Sequence, residues 1–506
     1  METFKDINKD ININIKNIEK VFELCDDLVK RKFAVGRHKE LWLYVAYIDM
    51  MADNSVIDKN IMKQLITSIR LTPPSMNTFY TPDNDIFEGL KDGGISASDM
   101  KEEVNFEGVV NSILSGDTVL FIDGFEKAII ISSKGFPSRG VPSSETEVVI
   151  RGSRDAFSEG FRINTTLIRR RIKDSRLKLE QSEVGNRTKT SLGLMYMEDL
   201  VRPHILETVK DRIADINIDA VLESGYIEQL IEENWSSPFP QAQSTERPDK
   251  VAAAILEGRI AIVLDNTPFV LIVPATLDTF FQSPDDYYQR FELASMLRIM
   301  RFIAGFLALT ISGLYIATAV FHPSMIPTSL MLKMASARMN VPFPIVVEIL
   351  IMEAAFELLK EAGIRLPAPI GSTIGIVGGL IVGQAAVEAG IVSPIAVIVV
   401  AFGGICSFVL PSVSLVNAFR MLKFLLIFFS ACFGFVGFWL GILLISIHLA
   451  SLKSFDIPYM FPFVSGEANN YSDFKDSIFR VPLFKMRKRP IFCNPDAVIR
   501  QGGDDE

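Results

Sequence analysis

The chain has 506 residues, too many for one hydrophobic core, and 49% of them are hydrophobic, which is high for a wholly soluble protein. Its 60 acidic residues outnumber 51 basic ones, and the formal charge of −9 argues against a nucleic-acid partner. Four cysteines, Cys25, Cys406, Cys432 and Cys493, are too scattered for a disulfide framework or a metal knuckle, so a reducing compartment without metal or other cofactor is expected.

The first residues, METFKDINKDININIKNIEK, lack the apolar core of a signal peptide, so the large N-terminal region is expected to stay in the cytoplasm. Residues 1–37 read as a mobile, Asn-rich arm, because Ile11, Ile13 and Ile15 alternate with asparagine without turn signals. Residues 38–145 read as an α/β subdomain. It holds a strand at LWLYVAYI from Leu41, a helix over about 56–69, a break at Thr72-Pro73-Pro74, a helix over 102–116, and two strands joined at Asp123-Gly124.

Residues 146–277 read as a second α/β subdomain. It opens with one long helix over 159–179, on which Arg169, Arg170, Arg171, Lys173, Arg176 and Lys178 form a basic surface, either solvated or in contact with a subunit or anionic headgroups. A strand at LGLMYMEDLV, a helix at HILETVKDRIADI, a short strand at 220–222, helices at GYIEQLIEEN and PDKVAAAILEG, and a hairpin turning at Asp265-Asn266 complete it. No Gly-rich phosphate loop, HExxH or Ser/His/Asp ordering is legible, so the chain is not expected to be an enzyme.

Residues 278–301 form a juxtamembrane linker, aromatic and then basic at Arg290, Arg298 and Arg301. Residues 302–450 carry only eleven charged side chains and no Asp, and read as a helical transmembrane domain, followed by a cytoplasmic tail over 451–506. The expected fold class is thus an α/β soluble region of two subdomains followed by an α-helical multi-span membrane domain. Five apolar segments are candidate spans, at about 302–321, 343–360, 370–391, 394–411 and 424–449, and SLMLKMASARM between the first two reads as an interfacial helix. Lys485, Arg487, Lys488 and Arg489 prefer the inner side, which favours an even number of crossings. Four full spans plus one acid-bearing segment meet that demand, but leave Arg420 and Lys423 on the outer side.

The acid-bearing segment, FPIVVEILIMEAAFELLKEAG, sets Glu348, Glu353 and Glu357 within about half the circumference of a helix. Facing lipid, each would cost about 2.5 kcal/mol or more, so they are expected to meet protein, water or an ion, in a vestibule ring for Glu353 and Glu357 or at an interface. The stretch 371–390 carries Gly371, Gly375, Gly379 and Gly383 at every fourth position, a seam for close helix approach by another copy or by the same chain. Gln384 and Glu388 lie one turn apart beside that seam, and together with Val382 these residues are candidates to line or flank a pore.

Two motifs, RGSRDAFSEGFRINTTLIRRRI in the soluble half and PAPIGSTIGIVGGLIVGQAAVEAGIVSP in the membrane half, resemble the A subunits of spore germinant receptors, the GerA family of spore-forming Firmicutes. The similarity runs from about residue 38 to 490. It implies a multi-pass protein of the spore inner membrane, with its N-terminal region of two α/β subdomains on the core side. It implies two partners as well, a transporter-like B subunit that binds germinant and a lipoprotein C subunit. The A subunit would be the oligomeric, pentameric element of a nutrient-gated channel for monovalent cations, whose opening starts germination. An ion- or proton-coupled transporter remains an alternative, as does a signalling scaffold whose α/β region binds a small molecule.

Overall fold

A computed structural model describes residues 6–35, 41–63, 65, 99–136, 144, 147, 149–365, 383–464 and 473–500. They divide into two compact units. The first comprises the chain through Glu232, Ala242–Pro274 and the segment from Lys488, and the second comprises Glu233–Gln241 and Ala275–Arg487.

The first unit holds two antiparallel sheets of five strands. One contains β1 (Leu28–Val35), β2 (Leu41–Ile48), β3 (Met100–Glu103), β4 (Thr118–Ile122) and β5 (Ala128–Ile131), in the order β1-β2-β4-β5-β3. The other contains β6 (Leu177–Val184), β7 (Thr190–Met197), β8 (Gln243–Thr245), β9 (Ile260–Leu264) and β10 (Val270–Val273), in the order β6-β7-β9-β10-β8. The two orders are the same. Helix α1 (Ile11–Val21) precedes β1 and α2 (Phe106–Leu114) precedes β4, just as α3 (Phe161–Arg169) precedes β6 and α6 (Pro248–Leu256) precedes β9; α4 (Pro203–Ala214) and α5 (Ser224–Ile231) fill the second half between β7 and β8. Every residue of β4, β5, β9 and β10 is buried, which is why TVLFI and IAIVL are continuous apolar runs rather than alternating ones.

The repeat extends to side chains. Asn14 on α1 accepts the N–H of Asn8 (2.9 Å) and donates to its carbonyl (2.6 Å); Asn164 on α3 does the same with Ser158 (2.8 and 2.6 Å). Asp123 after β4 accepts the first N–H of α1 from Ile11 (3.2 Å), and Asp265 after β9 accepts that of α3 from Phe161 (3.1 Å). Each asparagine thus satisfies both backbone groups of one residue inside a core, where an unpaired group is costly. Asn164→Leu keeps the volume but strands both Ser158 groups, and chemical unfolding should show a loss of about 1–3 kcal/mol. An unchanged midpoint would reduce the asparagine to a bystander.

Three sequence expectations for this unit are corrected. Residues 6–35 are not a mobile arm but the first helix and strand of the first half. Ile7, Ile11, Ile18 and Phe22 are buried in its core, and the helical period was hidden because the buried residue between them is Asn14. The single basic helix over 159–179 is instead α3 followed by β6, since Leu177–Val184 pairs with β7 along its whole length. Residues 220–222 form no strand; Val221 is held by Thr188 and Thr190 hydroxyls (3.2 and 2.8 Å). Of the expected helix over about 56–69, the structure shows a turn at Asn54–Val56 that continues as π-helix over Ile57–Met62, while residues 64 and 66–69 lie outside the described residues. The hairpins at Asp123-Gly124 and Asp265-Asn266 form as expected, with positive φ at Gly124 and Asn266. The chain returns to this unit at its end, where Asn494 N–H donates to the Leu200 carbonyl (2.7 Å) and Arg202 to that of Cys493 (3.0 Å).

The second unit is helical. Its main elements are α7 (Phe291–Ile316, continued as π-helix to Phe321), α8 (Thr328–Ala337), α9 (Ile345–Arg365), α10 (Pro394–Phe408) and α11 (Val413–Ser451). Two stretches, Phe291–Phe321 and Val413–Ser451, are long and apolar enough to cross a membrane. Helix α8 has no buried residue.

Helix α11 is not one rod. At Gly434 the backbone takes φ 59° and ψ −135°, and the chain doubles back. Its two arms then lie against each other: Leu415, Val416 and Ala418 share a core with Ile445, Leu449 and Leu452, and Leu426 one with Phe438. Gly437 permits the contact, since a Cβ there would stand 1.9 Å from the Phe429 carbonyl oxygen. The expected span at 424–449 is therefore replaced by two arms, 413–433 and 435–451, of roughly 30 and 25 Å. An apolar hairpin built from CFGFVGFW has no polar turn residues to announce it.

Candidate functional site

Helix α9 presents its acids to neighbouring helices, one after another. Glu348, fully buried, pairs with Arg338 beyond α8 (2.8 Å) and accepts the N–H of Ser393, the N-cap of α10 (3.0 Å). One turn on, buried Glu353 accepts from Ser312 of α7 (2.6 Å) and from Lys423 of α11 (2.5 Å). Glu357 follows and pairs with Arg420 of α11, with Lys423 at 3.9 Å. Lys360 sits over the Phe408 ring (5.7 Å). The three acids thus meet protein, and their charges are compensated inside the chain, which removes the free carboxylates a vestibule ring at Glu353 and Glu357 would require. Arg420 and Lys423, on the first arm of α11, thus face α9.

Of the candidate pore residues, Gly371, Gly375, Gly379 and Val382 lie outside the described residues. Gly383 is buried, and a Cβ there would meet Val397 of α10 at 3.3 Å, so at this position the seam packs within the same chain. Gln384 and Glu388 are exposed on the helical segment 383–388, and the Gln384 amide donates to Glu388 (2.9 Å). Among the described residues no cation pairs with Glu388.

A second polar cluster went unseen in the sequence, where Arg298 and Arg301 read as the basic, inner-side end of a juxtamembrane linker. Both hold the fully buried carboxylate of Asp286, at 2.9 and 2.7 Å. Arg298 also donates to the Asp476 carbonyl and carboxylate (2.6 and 2.8 Å) and to the Ser477 carbonyl (3.1 Å). Tyr287 lies between the Arg298 and Arg480 guanidiniums and donates to Asp476 (2.8 Å). Asp278 accepts from Ser477 (2.9 Å) and Gln282 (3.0 Å). The segment around 476–480 is thereby clasped to the start of α7. The partners are far apart in sequence, so spacing carried no signal.

Burial pushes the Asp278 carboxyl up to about 7, and the Ser477 hydroxyl, Arg298 and the Gln282 amide offset it only in part. Asp476 is raised for the same reason, burial, with Arg298 opposing. A carboxyl that holds its proton more tightly when folded contributes stability at low pH and loses it as pH rises to its folded pKa. The clasp should therefore loosen between about pH 4 and 7. Amide exchange at 476–480, corrected for intrinsic rate, should show that slope in the wild type and a flatter one in Asp278→Asn; equal slopes would dismiss Asp278 as its source.

In the α/β unit, a groove of about 540 Å³ runs between the halves, with Val21, Phe106, Val110 and Leu114 as apolar wall and Lys20 and Arg176 among its cations.

Two like α/β halves are followed along the chain by apolar helices whose acids are paired across the bundle, and two of these helical stretches are long and apolar enough to cross a membrane. The chain belongs to the GerA family: residues 16–492 match the family described as Bacillus/Clostridium GerA spore germination protein. The match takes in part of α1 and all of β1, so the family region begins before the residue 38 expected from the motifs. The chain is 40% identical to spore germination protein KA of Bacillus subtilis over 97% of this chain and 88% of that one. It is 41% identical to the uncharacterised membrane protein YfkQ of the same organism, over 96% and 91%, and 37% identical to its spore germination protein A1, over 90% and 91%. The crystal structure of the N-terminal domain of the A subunit of the Bacillus megaterium germinant receptor GerK3 is similar at 31% identity and a TM-score of 0.42, covering 54% of this chain and 97% of that domain. The family match and the germination proteins KA and A1 support a germinant receptor role.

Proposed function

We propose that the chain is the A subunit of a spore germinant receptor and that several copies form a nutrient-gated channel for monovalent cations in the spore inner membrane. The partners in this reading are a transporter-like B subunit and a lipoprotein C subunit. The observation that carries it is the exposed Gln384–Glu388 pair. The acids of α9, Glu348, Glu353, Glu357 and Glu361, are paired with cations of the same chain, whereas Glu388 is open to solvent, to an ion or to a second copy. A ring of such carboxylates attracts cations and repels anions.

The return of residues 488–500 to the α/β unit supports an even number of crossings. With the span expected at 370–391, the legs at α7, α9, α10 and the two arms of α11 make six. Germinant would act by binding the open arrangement more tightly than the closed one. In vesicles holding the chain with its partners, Glu388→Gln should lower cation conductance and selectivity, and wild-type values for both would take Glu388 out of the pore. A second reading, a scaffold whose α/β region takes a small molecule, is supported by the groove between the halves. A scaffold carries no ion flux.

A further inference from the structure

We propose that residues 474–487 form a collar that binds the headgroups of anionic phospholipids at the end of the helical unit where α7 begins. The proposal rests on the reading that α7 crosses a bilayer and adds to it a lipid partner. In α7 the last charge before the apolar run is Arg301, so the hydrocarbon boundary falls near Phe302. Arg298 binds the backbone of Asp476 and Ser477, and it precedes Phe302 by four residues, about 6 Å of helix. The headgroup layer on each side of a bilayer is roughly 5–7 Å thick. The clasp therefore holds this segment at headgroup depth. A chain of rings marks the same level: Phe302 lies 6.4 Å from Phe463, which lies 6.2 Å from Phe474.

What the segment shows outward fits that depth. Phe474, Phe479 and Phe484 are 58, 59 and 68% exposed, as is Leu483 in part, and the start of α7 exposes Met296, Met300 and Ile303. Lys475, Lys485 and Arg487 are exposed among these rings, and Lys485 stands 6.0 Å from the Phe484 ring centre. Asp476, the acid of the segment, is bound by Arg298 and Tyr287, so the charges left facing outward are cations. Rings at the acyl boundary beside cations at phosphate level are the chemistry that recognises an anionic lipid surface.

The test uses the full chain in a Cys432→Ser background, with a fluorescent thiol probe at Phe484→Cys or, as control, at Phe306→Cys on the exposed face of α7. It is placed in vesicles of phosphatidylcholine alone or mixed with phosphatidylglycerol. The probe at 484 should be quenched by a shallow nitroxide lipid, more strongly in the mixed vesicles and less at high salt. Neutralising Lys475, Lys485 and Arg487 to Gln should lower the ratio of lipid-quenched to released probe by roughly five-fold per charge in the mixed vesicles. Three results would overturn the collar: a 484 probe open to aqueous iodide while the 306 probe is protected, protection at 484 that ignores lipid charge, or protection that appears only when a partner subunit is added. A 306 probe that is itself open to iodide would instead reject the membrane reading of α7.

Discussion

Arg169→Met is expected to cost the α/β unit about 3–5 kcal/mol, because it leaves Asp27 charged and buried without its partner. Both side chains are almost fully buried, and the guanidinium meets the carboxylate through two nitrogens, with Nη2 at 2.7 Å from Oδ1. The third nitrogen donates to the Leu177 carbonyl (3.1 Å). The pair joins the two halves, since Asp27 leads into β1 and Arg169 ends α3. Around it Asp26 N–H donates to the Leu179 carbonyl and Leu179 N–H to that of Leu24, both at 3.0 Å. Arg169→Lys should recover little, since an ammonium cannot serve a carboxylate and a carbonyl in this fork. The double change Arg169→Met with Asp27→Leu should restore most of the stability, and urea unfolding of the four proteins gives the coupling. A single variant within about 0.5 kcal/mol of wild type would show that the halves do not depend on this pair.

Lys423→Met should be the most damaging single change in the helical unit. It removes the cation from Glu353, which is buried and keeps only the Ser312 hydroxyl, and it weakens the field at Glu357. An isolated carboxylate among apolar helices costs several kcal/mol or takes up a proton. The expected result is a loss of about 3–5 kcal/mol in the thermal stability of the detergent-solubilised protein. The double variant with Glu353→Gln should regain most of it, because a neutral amide still accepts from Ser312. If Lys423→Met alone melts like wild type, the ladder along α9 is not what holds α7, α9 and α11 together.

The parts of this architecture that were legible in sequence have a local cause. The strand Leu41–Ile48 and the turns at Asp123-Gly124 and Asp265-Asn266 are written in neighbouring residues, and all three stand where they were expected. What was hidden has a distant cause. Asn14 looks polar until its bonds to Asn8 are seen, and that concealed the apolar face of α1. Arg169 counted as one of six surface cations because its partner lies 142 positions away. The need of Glu353 and Glu357 to meet protein, water or an ion was legible from burial cost alone, but their partners Arg420 and Lys423 lie more than sixty positions away and left no local signal.

The contact between the two α/β halves is heterologous, and that has a consequence for assembly. The segment between α1 and β1 in the first half docks on α3 and β6 of the second, and the corresponding segment between α3 and β6 has no third half to dock on. Contacts of that kind propagate into filaments unless the last unit is capped. Here the acid of the open segment is already engaged: Asp174 is held by Arg176 in the same turn (2.5 Å), and Arg176 also pairs with Asp199 (2.8 Å). Where Asp27 reaches outward to another module, Asp174 is held at home, and the tandem stops at two.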